Sequence, residues 1–298
     1  MRKKLTAVLL AATMLLTSGV TVFADRVDAV IDKPYLALGA DLSPQEQMTV
    51  LSLLGLSDIN VDDYDIISIT NADEHEYLDK YLDASIIGTR ALSSVLVVGK
   101  EAGNGIHVTT KNISYCTEGM YRNALLTAGI EDADITVAGP FSISGTAALV
   151  GAIKAYETMT GEEIDDENLD AANDELVLTG KLVEDIGDSE KVEDLMALVK
   201  QEVAENKLTS AEDIQNVVDQ ACDQLDIQLS EENQKQIAEL MKKIEGLDLD
   251  VDKLKDQAKD LYQKLEDLDF HVDKESVGNF FTRIIDAIVN FFQGLFGK

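Results

Sequence analysis

The chain is poor in cysteine, histidine and positive charge, and each shortage closes off a class of function. Two cysteines in 298 residues, Cys116 and Cys222, make no disulfide framework. Standing far apart, they are expected as two separately buried thiols rather than as one bridge. Only three histidines are present, and a Ser-His pairing through His75 or His107 cannot be read from their spacing. Lys and Arg number 25 against 56 Asp and Glu. A chain so negative repels phosphate backbones and anionic headgroups, which argues against a nucleic-acid partner. Beyond the first 24 residues there is no apolar run near the roughly 20 residues that a spanning helix needs.

What is present begins with an export signal. Arg2, Lys3 and Lys4 form a positive start, residues 5–22 carry no charge, and Val22-Phe23-Ala24 closes the run with the small-residue pattern that signal peptidase reads. The expectation is a signal peptide over 1–24, cleaved before Asp25, with an uncleaved anchor helix as the alternative. No Cys follows the apolar run, so no lipoprotein anchor is expected. Three of the 25 basic residues and none of the 56 acidic ones fall in this leader, so processing leaves a net charge of about −34.

The mature chain changes character near Met159. Over residues 25–160, β-branched runs alternate with helical patterns. Ser43-Pro44-Gln45-Glu46 is a capping box with Pro at the first helical position, and it opens a helix through Leu54 that Gly55 stops. Strands are predicted at 65–70, 93–98, 106–110 and 134–138, and helices at 73–81, 117–128 and 145–158. The Asn104-Gly105 turn between the second and third strands predicts a hairpin. This order implies an α/β domain, a mixed sheet with helices. Residues 161–175 are acidic and poor in apolar side chains, the expected linker. Residues 176–270 show only helical spacing, as in Ile214, Val217, Val218, Ala221, Leu225 and in Ile237, Leu240, Met241, Ile244, with helix starts at Ser210 and Ser230 and a stop at Gly246. An all-α helical bundle therefore follows the α/β domain. The seam from Val251 to Leu268 lasts under three heptads, which favours packing within the bundle over a coiled-coil dimer.

Catalytic and metal motifs fall short one by one. Ser142 and Ser144 sit between a strand and a helix, where a nucleophile elbow would lie, but Pro140 and Ser142 occupy the positions that G-x-S-x-G reserves for Gly. Ser144 is expected to cap the following helix. If the segment binds a ligand, Ser142, Ser144, Gly145 and Thr146 offer helix N-terminal donors to a small anion or carboxylate. His75 and Asp79 share a helix face beside Glu76 and Asp73, but the second His of a zinc site is missing. Asp248, Asp250 and Asp252 begin like an EF-hand loop, yet Lys253 and Lys259 replace the required Gly and Glu. Neither a metal nor a cofactor is expected.

The segment from 90 to 156 carries a resemblance. Arg90-Ala91-Leu92-Ser93-Ser94, Gly103-Asn104-Gly105-Ile106, Met120-Tyr121-Arg122-Asn123-Ala124-Leu125, Ala128-Gly129-Ile130 and Ser142-Ile143-Ser144-Gly145-Thr146-Ala147-Ala148-Leu149 resemble the exported domain-of-unknown-function family 1002, of the YpuA-like type found in Gram-positive bacteria. The resemblance covers nearly all of the mature chain. It implies an extracytoplasmic location and no established activity or catalytic residue.

The C-terminal residues 276–298 hold five of the eight Phe. On a helix Phe280, Phe281, Ile284, Ile285, Ile288, Phe291, Phe292, Leu295 and Phe296 fill one half of the surface. Such a face either lies in a membrane interface or packs on the bundle or on a second copy, and packing is the commoner fate. The functional expectation is an exported, acidic, envelope-associated protein that binds a partner or cell-envelope component without catalysis. The alternative is an extracytoplasmic hydrolase or other enzyme with its site near Ser142 to Thr146.

Overall fold

Five short apolar stretches pair into one sheet. In chain order they are β1 (Tyr35–Gly39), β2 (Asp65–Ile69), β3 (Ser94–Gly99), β4 (Ile106–Ile113) and β5 (Ala133–Ile143). The computed structural model describes residues 33–257, apart from 58, 59, 162, 248 and 256. The expected signal peptide and the residues 276–298 lie outside the described residues. The strand order is β2-β1-β3-β5-β4, with β1 and β2 parallel, β4 and β5 parallel, and the other two pairings antiparallel. The sheet is mixed, as expected.

The hairpin expectation is corrected. β3 and β4 do not pair, because β5 lies between them, with Leu96 opposite Thr136 on one side and Val108 opposite Ile135 on the other. Strands flanking a third are about 9.5 Å apart, a gap that residues 100–105 readily span. Asp132 pins this wide loop by accepting from the Gly103 and Gly105 amides at 3.0 and 2.7 Å. The two strands differ in burial: Ile135, Val137 and Ala138 bury both faces of β5, which suits the sheet interior, whereas β4 exposes alternate residues, as an edge strand tolerates.

The helices of the first part are α1 (Pro44–Leu53), α2 (Asn71–Leu78), α3 (Ala84–Ile87), α4 (Glu118–Thr127) and α5 (Thr146–Thr160). Ser43 and Glu46 form the expected capping box, and Thr70 with Asp73 forms a second that opens α2. α1 and the turn after it cover one sheet face, with Val50, Leu54 and Leu56 packed with Leu36 and Ala138. The opposite face, with Ala37, Val95, Val97, Ile135 and Val137, is buried with residues of α2, α4 and α5 in the main core. Each of the Val and Ile side chains contributes about 1.5–3 kcal/mol by leaving water. α5 is Ala-rich because it sits close to the sheet: a Cβ at Gly151 would stand 2.8 Å from that of Ala37.

Four longer helices follow, α6 (Asp166–Ile186), α7 (Ser189–Asn206), α8 (Ala211–Leu225) and α9 (Glu231–Glu245). Ser210 and Ser230 cap α8 and α9 as predicted, and Gly246 ends α9. The stretch 161–175, expected as an acidic linker, is helical from Asp166 onward. Ala172 and Leu176 of α6 enter the core beside the sheet, whereas Ala171, Leu178 and Leu182 enter the helical core. The contact is made by small residues and by buried Asn173 and Glu175, so apolar content under-reports its burial. Acids in the first turn, Asp166 and Glu167, suit the positive end of the helix dipole.

Candidate functional site

The segment singled out near Ser142 to Thr146 joins β5 to α5. Ser142 is exposed at the end of β5, Ser144 is half-buried, and Gly145 and Thr146 are buried. Gly145 is the N-cap of α5, with φ at 101° and no side chain to cap with. Glycine is required there twice over: the φ is left-handed, and a Cβ would lie 2.7 Å from the Tyr121 hydroxyl. The reading of Ser144 as the cap is therefore corrected. Its hydroxyl meets that of Thr146 at 3.2 Å, and the capping acceptor comes from far along the chain: Ser93 Oγ accepts from the Ala148 amide at 2.9 Å.

Around this helix start the fold gathers a closed set of polar side chains. Tyr121, from α4, donates its hydroxyl to the Gly145 carbonyl at 2.6 Å. Thr146 donates to Glu74 Oε1 at 2.7 Å, and Asn71 donates to Glu74 Oε2 at 3.1 Å. Burial pushes the Glu74 carboxyl above the ordinary range, against the hydrogen bonds from Thr146 and Asn71. Cys116 lies beside Tyr121, and burial pushes its thiol up to about 12. A thiol so raised is a poor nucleophile. The chain itself thus supplies what a helix N-terminus attracts, a carboxyl group in Glu74 and a capping oxygen in Ser93.

Sequence reasoning places Ser144, Gly145 and Thr146 together but misses Glu74, Ser93, Cys116 and Tyr121. Glu74 stands beside the metal candidate His75, and nothing local says that it turns inward toward α5. The metal candidates are also occupied. His75 Nδ1 meets Asp79 Oδ1 at 2.5 Å, and the bond to Asp79 raises the imidazole pKa. Asp73 takes the Thr70 amide at 2.7 Å and pairs with Lys154 at 2.5 Å. Asp250 accepts from the amides of Asp252 and Lys253, the bonds of a helix cap. Among the described residues no three His, Cys, Asp or Glu converge as a metal site.

Two further polar arrangements join the sheet-bearing part to the helices. Lys200 of α7, fully buried, donates to the Asn123 carbonyl at 2.9 Å, to Thr127 Oγ1 at 3.1 Å and to both Glu175 oxygens at 3.0 and 3.1 Å. Burial pulls the Lys200 pKa down, and the Glu175 carboxylate opposes that pull. Where the turn after α2 meets α6 and the end of α9, an open cleft of about 430 Å³ is lined by Lys80, Asp170, Lys243 and Leu247. Hydrogen bonds from Lys243, Lys80 and Tyr81 hold the Asp170 carboxyl well below the usual range.

Phe280, Phe281, Ile284, Ile285, Ile288, Phe291, Phe292, Leu295 and Phe296 lie outside the described residues. Among the described ones, no helix is long and apolar enough to cross a membrane. Cys116 and Cys222 are free and buried, the first in the core beside the sheet and the second in the helical core.

No solved structure matches the chain. A relative from Bacillus subtilis (strain 168), named "Uncharacterized protein YpuA", is 38% identical over 296 residues, which cover 98% of this chain and 100% of the relative. The family described as "Protein of unknown function (DUF1002)" matches residues 38–261, so with this fold and this relative the chain belongs to the DUF1002 family.

Proposed function

We propose that this protein is an exported, acidic, envelope-associated interaction protein that binds a partner or cell-envelope component and catalyses no reaction. One observation carries the non-catalytic part. The groups around Ser142 and Ser144 that chemistry would recruit are already spent on the fold: Ser93 on the Ala148 amide, Thr146 on Glu74 and Tyr121 on the Gly145 carbonyl. A nucleophile needs a base within hydrogen-bond reach, and His75 is turned to Asp79.

Export is supported by the positive start, the uncharged run and Val22-Phe23-Ala24. The charge remaining after processing keeps such a chain soluble and directs it to neutral or cationic partners. The surface left for a ligand at the α5 start is Ser142 with the half-buried Ser144, and contact through residues 276–298 is the second surface. The test incubates mature protein with purified cell-envelope material. Co-sedimentation without release of soluble fragments is the expected result. Fragment release that vanishes in Ser144→Ala, with stability unchanged, would replace this reading by the hydrolase. N-terminal sequencing of secreted protein should read from Asp25, and vesicle co-sedimentation of the full mature chain against one ending at Ser276 tests the membrane contact.

A further inference from the structure

Helix α7 carries an acid where an amphipathic helix would place an apolar residue. Glu202 is 1% exposed, and by helical spacing it follows Leu195 and Leu198 along one flank. Its Oε2 accepts from Asn206 Nδ2 at 2.9 Å, while Oε1 has no hydrogen-bond partner. A buried carboxylate with an unpaired oxygen is costly; the protonated acid is much less so.

The chain after α9 passes over this region. Residues 249–255 and 257 belong to a strap with a short helical turn from Val251, capped by Asp250. Leu254 is buried, Lys253 pairs with Asp132, Lys255 pairs with Glu205 at 2.9 Å, and Gln257 bonds Asn123 of α4. The strap thereby ties the helical part to the sheet-bearing part. It also brings one ammonium, Lys255, to two carboxyls, Glu202 and Glu205. Glu205 holds that ammonium and a further bond from Gln201 at 2.9 Å.

Among the described residues, the other elements packed on α7 bring no compensating cation to Glu202. α8 and α9 present Val217, Val218, Ala221, Leu240 and Met241 to the shared core. Toward α4 and α6, Lys200 acts with Glu175 and Arg122, and Arg122 with Glu193, and Lys200 lies about 200° around α7 from Glu202. Thus Glu205 from its own helix and Lys255 from the strap are the charges that act on it, together with the Asn206 amide.

We propose that the strap is a proton-operated latch, closed over α7 while Glu202 holds its proton and loosened when Glu202 ionises. Burial first and Glu205 second push the Glu202 carboxyl up to about 8, with Asn206 and Lys255 pulling the other way. An open strap leaves Glu202 to water, where a glutamate titrates near 4.3. Between these two values the closed state binds more protons than the open one, so rising pH favours opening by about tenfold per pH unit. Above about 8 both states are ionised and the dependence ends.

The experiment is hydrogen exchange with mass spectrometry on the full chain from about pH 6 to 9, corrected for intrinsic exchange, reading strap peptides. The opening constant should climb with pH up to about 8 and then level. In Glu202→Gln, which keeps shape and removes the titration, it should be flat. Parallel curves for the two proteins, or a flat curve in the natural one, would overturn the latch. Asn206→Ala supplies a second arm, because losing the bond that favours the ionised form moves the break to higher pH. A break that stays in place or moves down would also overturn it. Carboxyl-carbon NMR should show a glutamate titrating near 8 that disappears in Glu202→Gln.

Discussion

The Lys200–Glu175 pair allows a sharp test of how the two parts are joined. Both side chains are 0% exposed, and Lys200 places its ammonium against four acceptor atoms. Lys200→Met keeps much of the stem packing but leaves Glu175 buried, with Thr127 as its remaining side-chain donor. Removing one member of a buried pair typically costs about 3–5 kcal/mol, a large share of the about 5–15 kcal/mol that holds an ordinary domain. With a urea dependence of about 2–3 kcal/mol per molar, the midpoint should fall by about 1–2.5 M. Circular dichroism and tyrosine fluorescence give two independent probes, the chain having no Trp. Replacing both partners, as in Lys200→Met with Glu175→Leu, removes the stranded charge and should recover most of the loss, because apolar substitutes for a buried pair are often neutral or stabilising. A single variant that loses under about 1 kcal/mol, or a double variant as weak as the sum of the two singles, would refute the reasoning.

Four other outcomes follow from the same geometry. Ser93→Ala removes the remote cap of α5 and strands the Ala148 amide, costing about 1–2 kcal/mol in thermal or urea denaturation. Gly145→Ala forces a side chain into left-handed backbone against Tyr121, so a loss of at least about 2 kcal/mol and a lower soluble yield are expected. Cys116 and Cys222, with thiols pushed up to about 12 by burial, should stay unreactive toward a chromogenic disulfide reagent until urea unfolds the chain, then react as two equivalents. For Asp73, burial is outweighed by hydrogen bonds from Lys154 and Thr70, which hold the carboxyl down to about 2. Its contribution is complete above the ordinary range near 3.9 and is lost as pH falls through about 2, so Lys154→Met should flatten that stretch of the stability curve.

Much of the fold is local, and local rules are written in the sequence. Ser43, Ser210 and Ser230 start helices because each side chain reaches an amide three residues on. The spacing of Ile214, Val217, Val218 and Ala221 sets the face that α8 buries. Elsewhere tertiary contact decided. Asn104-Gly105 has turn chemistry, but whether it closes a hairpin depends on which strand most needs two covered faces, and β5 wins that place from some thirty residues away. Residues 161–175 look like a linker because Ala171, Ala172, Asn173 and Glu175 are small or polar, and their burial comes from the helices opposite. The candidate site shows the same division. Ser144, Gly145 and Thr146 are neighbours in sequence and were legible. Glu74 lies 72 residues from Thr146, and Ser93 lies 55 from Ala148. A side chain's period tells which way it faces on its own element, whereas its partner, its desolvation and its protonation are fixed only when distant elements close around it.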